Sequence, residues 1–134
     1  MIKIEPMTLR HISHMVREHG CKTNVAMYFG DNFTCFDSNG VIITIGGIDI
    51  HRDLDGNYLG EGWSFFAPGL GKHPERHAII RVYKKTMMEI IRRRNLTLVI
   101  TTFPDIFWKW GEFLGYKING DRIGDMLIGR IYHE

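Results

Sequence analysis

Apolar residues recur along this chain in two rhythms, every second position in some stretches and every third or fourth in others. Residues 1–5 alternate apolar and polar and read as a strand, which Pro6 stops. Thr8 is suited to cap a helix that carries Leu9, Ile12, Met15 and Val16 on one face, and Gly20 is suited to end it. A second short helix is predicted over residues 24–29. Residues 33–37 and 41–50 read as strands joined through Ser38-Asn39-Gly40, and the turn-forming residues 53–57 lead into a third strand, Tyr58–Phe66. These three strands are predicted to form an antiparallel meander.

The helical rhythm returns after Pro74, which suits a first helical position because its missing N–H has no partner to lose there. Ile79, Ile80, Tyr83, Met87, Ile90 and Ile91 make a broad apolar stripe, with Arg81, Lys84, Lys85, Arg92, Arg93 and Arg94 facing outward. Residues 96–102 are rich in β-branched side chains without alternation, which predicts a central strand buried on both faces. A helix between two strands makes them a parallel pair with a right-handed crossover. Pro104 starts a further helix through about Leu114, ended by Gly115. Residues 116–119 and 126–132 close the chain as a hairpin. No internal repeat or linker interrupts this order, and one domain over residues 1–134 is expected.

Composition adds little to the picture. The chain has 134 residues, 44% hydrophobic and 24% charged, which is ordinary for a globular domain. A net charge of +2 gives no general attraction to nucleic acid. No apolar run is long enough to span a membrane. Cys21 and Cys35 are the only cysteines, form no C-x-x-C pair, and read as buried reduced thiols, so a cytoplasmic setting is expected. Positive charge in the Arg92-Arg93-Arg94 run suits the C-terminal end of its helix, which accounts for it without a nucleic-acid partner.

The candidate chemistry centres on the β-loop-α-β unit from Tyr58 to Thr102. Its loop, Gly69-Leu70-Gly71-Lys72-His73 with Arg76 beyond, brings glycines and positive charge to a helix N-terminus, a setting that welcomes an anion. The plain alternative is a solvated connection that needs glycine for its turns. His73 and His77 have ligand spacing, but Pro74 leaves His73 outside the regular helix and no third ligand is in view. Phe107, Trp108, Trp110 and Phe113 make an aromatic-rich helix, and residues of this kind at helical spacing are expected to build core. Two tryptophans within three positions cannot share one face, so one of them is expected to be exposed.

The order β-α-α-β-β-β-α-β-α-β-β, an α/β fold with a mixed sheet, resembles the GNAT acyltransferase superfamily over nearly the whole chain. Phe113-Leu114-Gly115-Tyr116 is similar to the leucine-glycine-aromatic end of that family's terminal helix. Gly46 and Gly47 in the third strand, with Gly60 and Gly62 around Glu61 in the fourth, mark bulges or close backbone approach. The resemblance implies a bulged fourth strand splayed from the fifth, with the arm of acetyl-CoA in the gap. Cofactor contacts then fall to Phe65, Phe66, Gly69, Leu70, Gly71, Lys72, Arg76 and Thr102. It also implies a role for Glu61 as the base that takes a proton from an amine, with burial raising its pKa. Asp49 and His51 are alternatives for that role, with surface positions beside the 53–57 turn as the plainer reading.

Three departures stand against that pattern. The glycines of the loop come in a different order and Pro74 removes one donor. Gly111 stands where the family often carries a tyrosine that protonates the departing thiolate. Thr102-Phe103-Pro104 replaces an asparagine that often contacts the cofactor. The expected activity is acetyl transfer from acetyl-CoA to an amine-bearing substrate, with partly degenerate motifs. A weaker resemblance, to a small GNAT-like internal virion protein of podophages, implies a non-catalytic bacteriophage component that works by binding a protein partner.

Overall fold

The computed structural model describes residues 1–133. Its elements are β1 (Lys3–Pro6), α1 (Leu9–His19), β2 (Asp31–Phe36), β3 (Ile42–Arg52), β4 (Tyr58–Phe66), α2 (Arg76–Arg93), β5 (Leu98–Phe103), α3 (Trp108–Phe113), β6 (Lys117–Ile123) and β7 (Met126–Tyr132). One seven-stranded sheet runs in the order β1-β2-β3-β4-β5-β7-β6. The mixed α/β class and the predicted order are both present. The second helix, however, is a single 3-10 turn, Val25–Tyr28, capped by the Asn24 side chain. Gly30, at φ 81° in the left-handed region, ends the excursion that follows.

Local chemistry accounts for most element ends. The Thr8 hydroxyl accepts from His11 N–H while the His11 ring accepts from Thr8 N–H, a reciprocal cap on α1. Gly20 closes α1 in the left-handed conformation at φ 67°. The apolar stripe of α1 is narrower than predicted: Ile12 and Met15 are buried, whereas Leu9 and Val16 are exposed. All six predicted stripe residues of α2 are buried, each stabilising the fold by about 1.5–3 kcal/mol. At the far end of α2, Arg94 Nε lies 2.6 Å and Arg93 Nη2 3.3 Å from the Asp31 carboxylate, so part of the arginine run clamps α2 to β2. Cys21 and Cys35 are buried and free, and burial pushes the Cys35 thiol up to about 12, which leaves it unreactive.

The two faces of the sheet carry different covers. Ile45 packs with Ile12 and Met15 of α1, while Ile48 packs with Tyr83, Met87 and Ile91 of α2. Because side chains alternate along a strand, Asp49 and its cross-strand partner Glu61 point to the α1 face, and Gly62 to the α2 face.

The parallel pairing of β4 with β5 covers only Leu59–Leu98, Gly60–Val99 and Glu61–Ile100. Beyond Glu61 the two strands part, since β4 stays in register with β3 through Phe66 while β5 stays paired with β7 through Phe103. The expected bulge in β4 is absent: its register with β3 is unbroken from Tyr58 to Phe66. Its glycines serve close approach instead. A Cβ on Gly62 would lie 2.2 Å from the Tyr116 hydroxyl, and one on Gly60 would lie 2.5 Å from the Ile48 side chain. Tyr116 therefore wedges against β4 at the point of parting. The upper part of β5 is not buried on both faces as predicted, because from Thr101 onward it borders the opening.

Candidate functional site

The parting of β4 and β5 opens a cleft of about 850 Å³ through the sheet. Its walls are largely apolar, with Trp63, Phe65, Phe66 and Phe107 among them, and Asp49 and Glu61 bring carboxylates to its α1 side. The 3-10 turn that roofs this side is tied to β2 through Asn32. Asn32 donates to the Ala26 carbonyl (2.8 Å) and the Phe29 carbonyl (2.9 Å), and accepts from the Trp63 indole (2.8 Å). Gly47 makes room for it, since a Cβ there would sit 2.1 Å from the Asn32 side-chain oxygen.

Backbone donors reach the opening from β4. Ala67 N–H bonds the Ile43 carbonyl, so alternation turns the amides of Phe65 and Trp63 toward β3 and those of Ser64 and Phe66 toward the side that β5 has left. Thr101 closes the crotch by donating to the Gly62 carbonyl at 2.8 Å. Tyr83, buried under the cleft, donates to the Trp63 carbonyl at 3.3 Å. Burial holds the phenols of Tyr83 and Tyr116 above the usual range, so both stay protonated near neutral pH.

Seven of the nine residues singled out from the sequence line the cleft: Glu61, Phe65, Phe66, Gly69, Leu70, Gly71 and Thr102. Glu61 is exposed, so the burial invoked for it is absent. Asp49, expected beside the surface turn, instead lines the cleft directly opposite Glu61, with its side chain 14% exposed and its Oδ2 3.2 Å from the His51 ring. Arg76 lines a neighbouring groove rather than the cleft, and Lys72 lines neither.

The loop before α2 is built differently from a row of open amides. Leu70, Lys72, His73 and Arg76 N–H bond carbonyls within the segment or just before it, and Glu75 N–H bonds the His73 ring at 2.9 Å. Pro74 has none to offer, which leaves Gly71 as the uncommitted amide of residues 70–76 among the described residues. His73 accepts at Nδ1, so Nε2 carries the proton and donates to Asp37 at 3.1 Å. The Glu75 carboxylate accepts from the Ser38 N–H and hydroxyl. These contacts tie the loop to the β2–β3 turn. They also occupy the lone pairs of the Asp37, His73 and Glu75 cluster, which is close enough for a metal but is satisfied internally.

The clamp makes stability depend on acid. Burial pushes the Asp37 carboxyl up, but hydrogen bonds from Val41 N–H, the His73 ring and Asn39 N–H together outweigh it, and the net shift is downward. A lowered carboxyl pKa contributes stability above the unfolded value of about 3.9, and that contribution is lost as pH falls through the folded value. Urea unfolding of Asp37→Asn from pH 7 to pH 2 should show a shallower acid limb than the parent. An identical limb would place the acid sensitivity elsewhere.

On α3, Gly111 leaves space that Phe103 fills. A Cβ at position 111 would lie 2.5 Å from Phe103 Cζ, so no side chain can project from this position without displacing that ring. Trp108 is exposed, and Trp110 is partly buried by stacking on Phe66 with ring centroids 5.7 Å apart, which fits the expectation that the two could not share a face. The terminal helix starts after Pro104 and ends at Leu114 as predicted, but its first turn (Asp105–Phe107) is 3-10 and only Trp108–Phe113 is α-helical.

No protein-family model and no curated protein sequence matches this chain. Solved structures do. A ribosomal-protein-S5-alanine acetyltransferase from Vibrio fischeri aligns with TM-score 0.70 at 12% identity, over 98% of this chain and 92% of that one. A chain of the NatC complex bound to Gag peptide and CoA aligns with TM-score 0.70 at 7% identity, over 99% of both chains. An acetyltransferase of the GNAT family from Staphylococcus aureus aligns with TM-score 0.62 at 10% identity, over 98% of this chain and 99% of that one. These likenesses establish that the chain has the GNAT fold.

Proposed function

From the GNAT fold and the open strand pair, we propose that this protein is an acyl-CoA-dependent N-acyltransferase, moving an acetyl group from acetyl-CoA to an amine. The observation that carries the reading is the cleft itself. Its size falls in the range of ligand sites, roughly 300–1,000 Å³, and its apolar walls and two fork-facing amides suit a narrow chain ending in a polar carbonyl. Acetyl-CoA would supply an acyl group activated as a thioester. The amides of Ser64 and Phe66 are the donors available to hold and polarise its carbonyl, a fixed arrangement that needs no reorganisation during reaction. Trp63, Phe65 and the 3-10 turn shield the α1 side and orient an amine there.

Glu61 is the group best placed to take the proton of that amine, with Asp49 opposite it adding negative charge that draws a cationic acceptor. Position 111 offers no acid, so solvent at the cleft mouth protonates the departing thiolate. Calorimetric titration with acetyl-CoA tests the reading. The expected result is a one-to-one complex, and no heat at millimolar cofactor would overturn it.

A second reading draws on a different surface. Ile106, Phe107, Trp108 and Phe113 leave large apolar area exposed around α3, which favours a protein that works by contact. A protein-binding GNAT-fold component, of a virion or acting on a host, would form its complex whether or not Glu61 is intact.

A further inference from the structure

Three side chains of unlike chemistry converge on the α1 face of β3 and β4. Asp49 and His51 stand two positions apart on β3 and so share that face, and Glu61 is the cross-strand partner of Asp49 on β4. A carboxylate oxygen from each acid and an imidazole nitrogen all lie within 4.8 Å of one another. His51 Nε2 is 3.2 Å from Asp49 Oδ2. That is close to the roughly 3.3 Å between two ligand atoms on a tetrahedral ion with bonds of about 2.0–2.1 Å. Two carboxylates directly across a strand pair repel each other. Among the described residues His51 is the only salt-bridge partner of Asp49, and no salt bridge reaches Glu61. Asp49 is nonetheless largely buried, so its charge is held where a further cation is welcome. The Asp37, His73 and Glu75 cluster differs on this point, because N–H and O–H donors already occupy its oxygens.

We propose that Asp49, His51 and Glu61 bind a divalent transition-metal ion of the zinc type. Two carboxylate oxygens and one imidazole nitrogen suit zinc, cobalt or nickel, whereas calcium and magnesium prefer oxygen alone. Three protein ligands leave a fourth position free, and two of the three line the cleft, so that position faces the acceptor side. The site stands on these side chains alone. Its consequence rests on the acetyl-transfer reading: an ion held by Glu61 occupies the lone pair that would accept the amine proton, so zinc switches transfer off.

The probes are cobalt(II), followed by its visible absorption, and zinc(II), followed by calorimetry, with circular dichroism to show that each variant is folded. Zinc should bind one-to-one and displace cobalt, and magnesium at the same concentration should not displace it. Asp49→Asn and His51→Ala should each weaken zinc by about tenfold or more, no less than the loss of a group that supports a metal ligand. His14→Ala should leave zinc affinity unchanged, although the ring centroids of His14 and His19 lie 6.1 Å apart on α1 and offer the ion a rival pair. Loss of binding in His14→Ala, or undiminished binding in Asp49→Asn and His51→Ala, would overturn the site. A parallel titration with acetyl-CoA separates the two readings. Cofactor binding without zinc binding removes the metal site and leaves acetyl transfer intact. Zinc binding without cofactor binding keeps the site and removes acetyl transfer. Where both bind, zinc should lower turnover of the parent by about tenfold or more and affect His51→Ala far less. Equal inhibition of the two proteins would overturn the switch.

Discussion

A Gly62→Ala variant should be less stable than the parent by about 1–3 kcal/mol, the scale of overpacking in a closed core, and should lose affinity for acetyl-CoA. The backbone gives no reason for such a loss. Gly62 lies in regular strand with no positive φ, and alanine in place of glycine would ordinarily help a strand by roughly 0.5–1 kcal/mol. The effect comes from one atom: the new Cβ would stand 2.2 Å from the Tyr116 hydroxyl. Tyr116 is buried and packed against the cluster of Val99, Tyr83 and Ile131, so the one direction open to the ring is toward the cleft. A shifted Tyr116 would move into the floor of the cleft, which it lines.

The control is Gly62→Ala combined with Tyr116→Phe. With the hydroxyl gone, the nearest remaining atom of that ring lies 3.5 Å away, an ordinary contact. Stability and cofactor affinity should both recover. If the single variant unfolds in urea like the parent, or the double variant is no better than the single, the wedge does not set the shape of the opening.

The second large effect is catalytic. Glu61→Gln should lower kcat/KM for acetyl transfer about a hundredfold or more, as expected for loss of a general base, while the Kd for acetyl-CoA stays unchanged. The split follows from geometry: Glu61 lies on the α1 side of the sheet, whereas the donors assigned to the carbonyl are backbone groups of β4 facing the gap. Asp49→Asn should raise KM for a cationic amine more than it lowers kcat, because Asp49 contributes field and not proton transfer. Turnover by Glu61→Gln within twofold of the parent would remove Glu61 from the chemistry. A complex with a protein partner that survives the substitution would favour the contact reading.

Much of this molecule was legible in its residues because the signals were local. The stripe of α2, the cap at Thr8, the stop at Gly20 and the bounds of β4 each depend on neighbours within a few positions. The misjudged elements share the opposite property. The 24–29 segment was read as a helix, yet its conformation is dictated by Asn32, which grips two of its carbonyls from an adjacent strand. The terminal helix keeps its expected ends, but of its aromatic residues only Trp110 is packed, on Phe66, while Phe107, Trp108 and Phe113 are exposed and do not build core as expected.

The glycines show the division most clearly. Glycine within a strand announces a special backbone or a close neighbour, and sequence cannot say which. Here Gly47, Gly60 and Gly62 all proved to be places of close approach, and the β4 bulge was not needed to open the fork. Likewise the Gly69–Arg76 segment displays its positive charge in its letters, but whether its amides are free depends on partners at residues 37 and 38 and on bonds it makes to itself.

The chain's own residue pattern determined the strand and helix order, the core stripe and the neighbourhood of Glu61, since periodicity and capping act over one or two turns. The family resemblance implies that β4 and β5 part, but only the tertiary structure decided that they do so just after Glu61 without a bulge in β4, and that Asp49 joins Glu61 in the cleft. Those outcomes depend on contacts between segments dozens of residues apart, where the size of one distant side chain, such as Tyr116 or Phe103, decides what space remains.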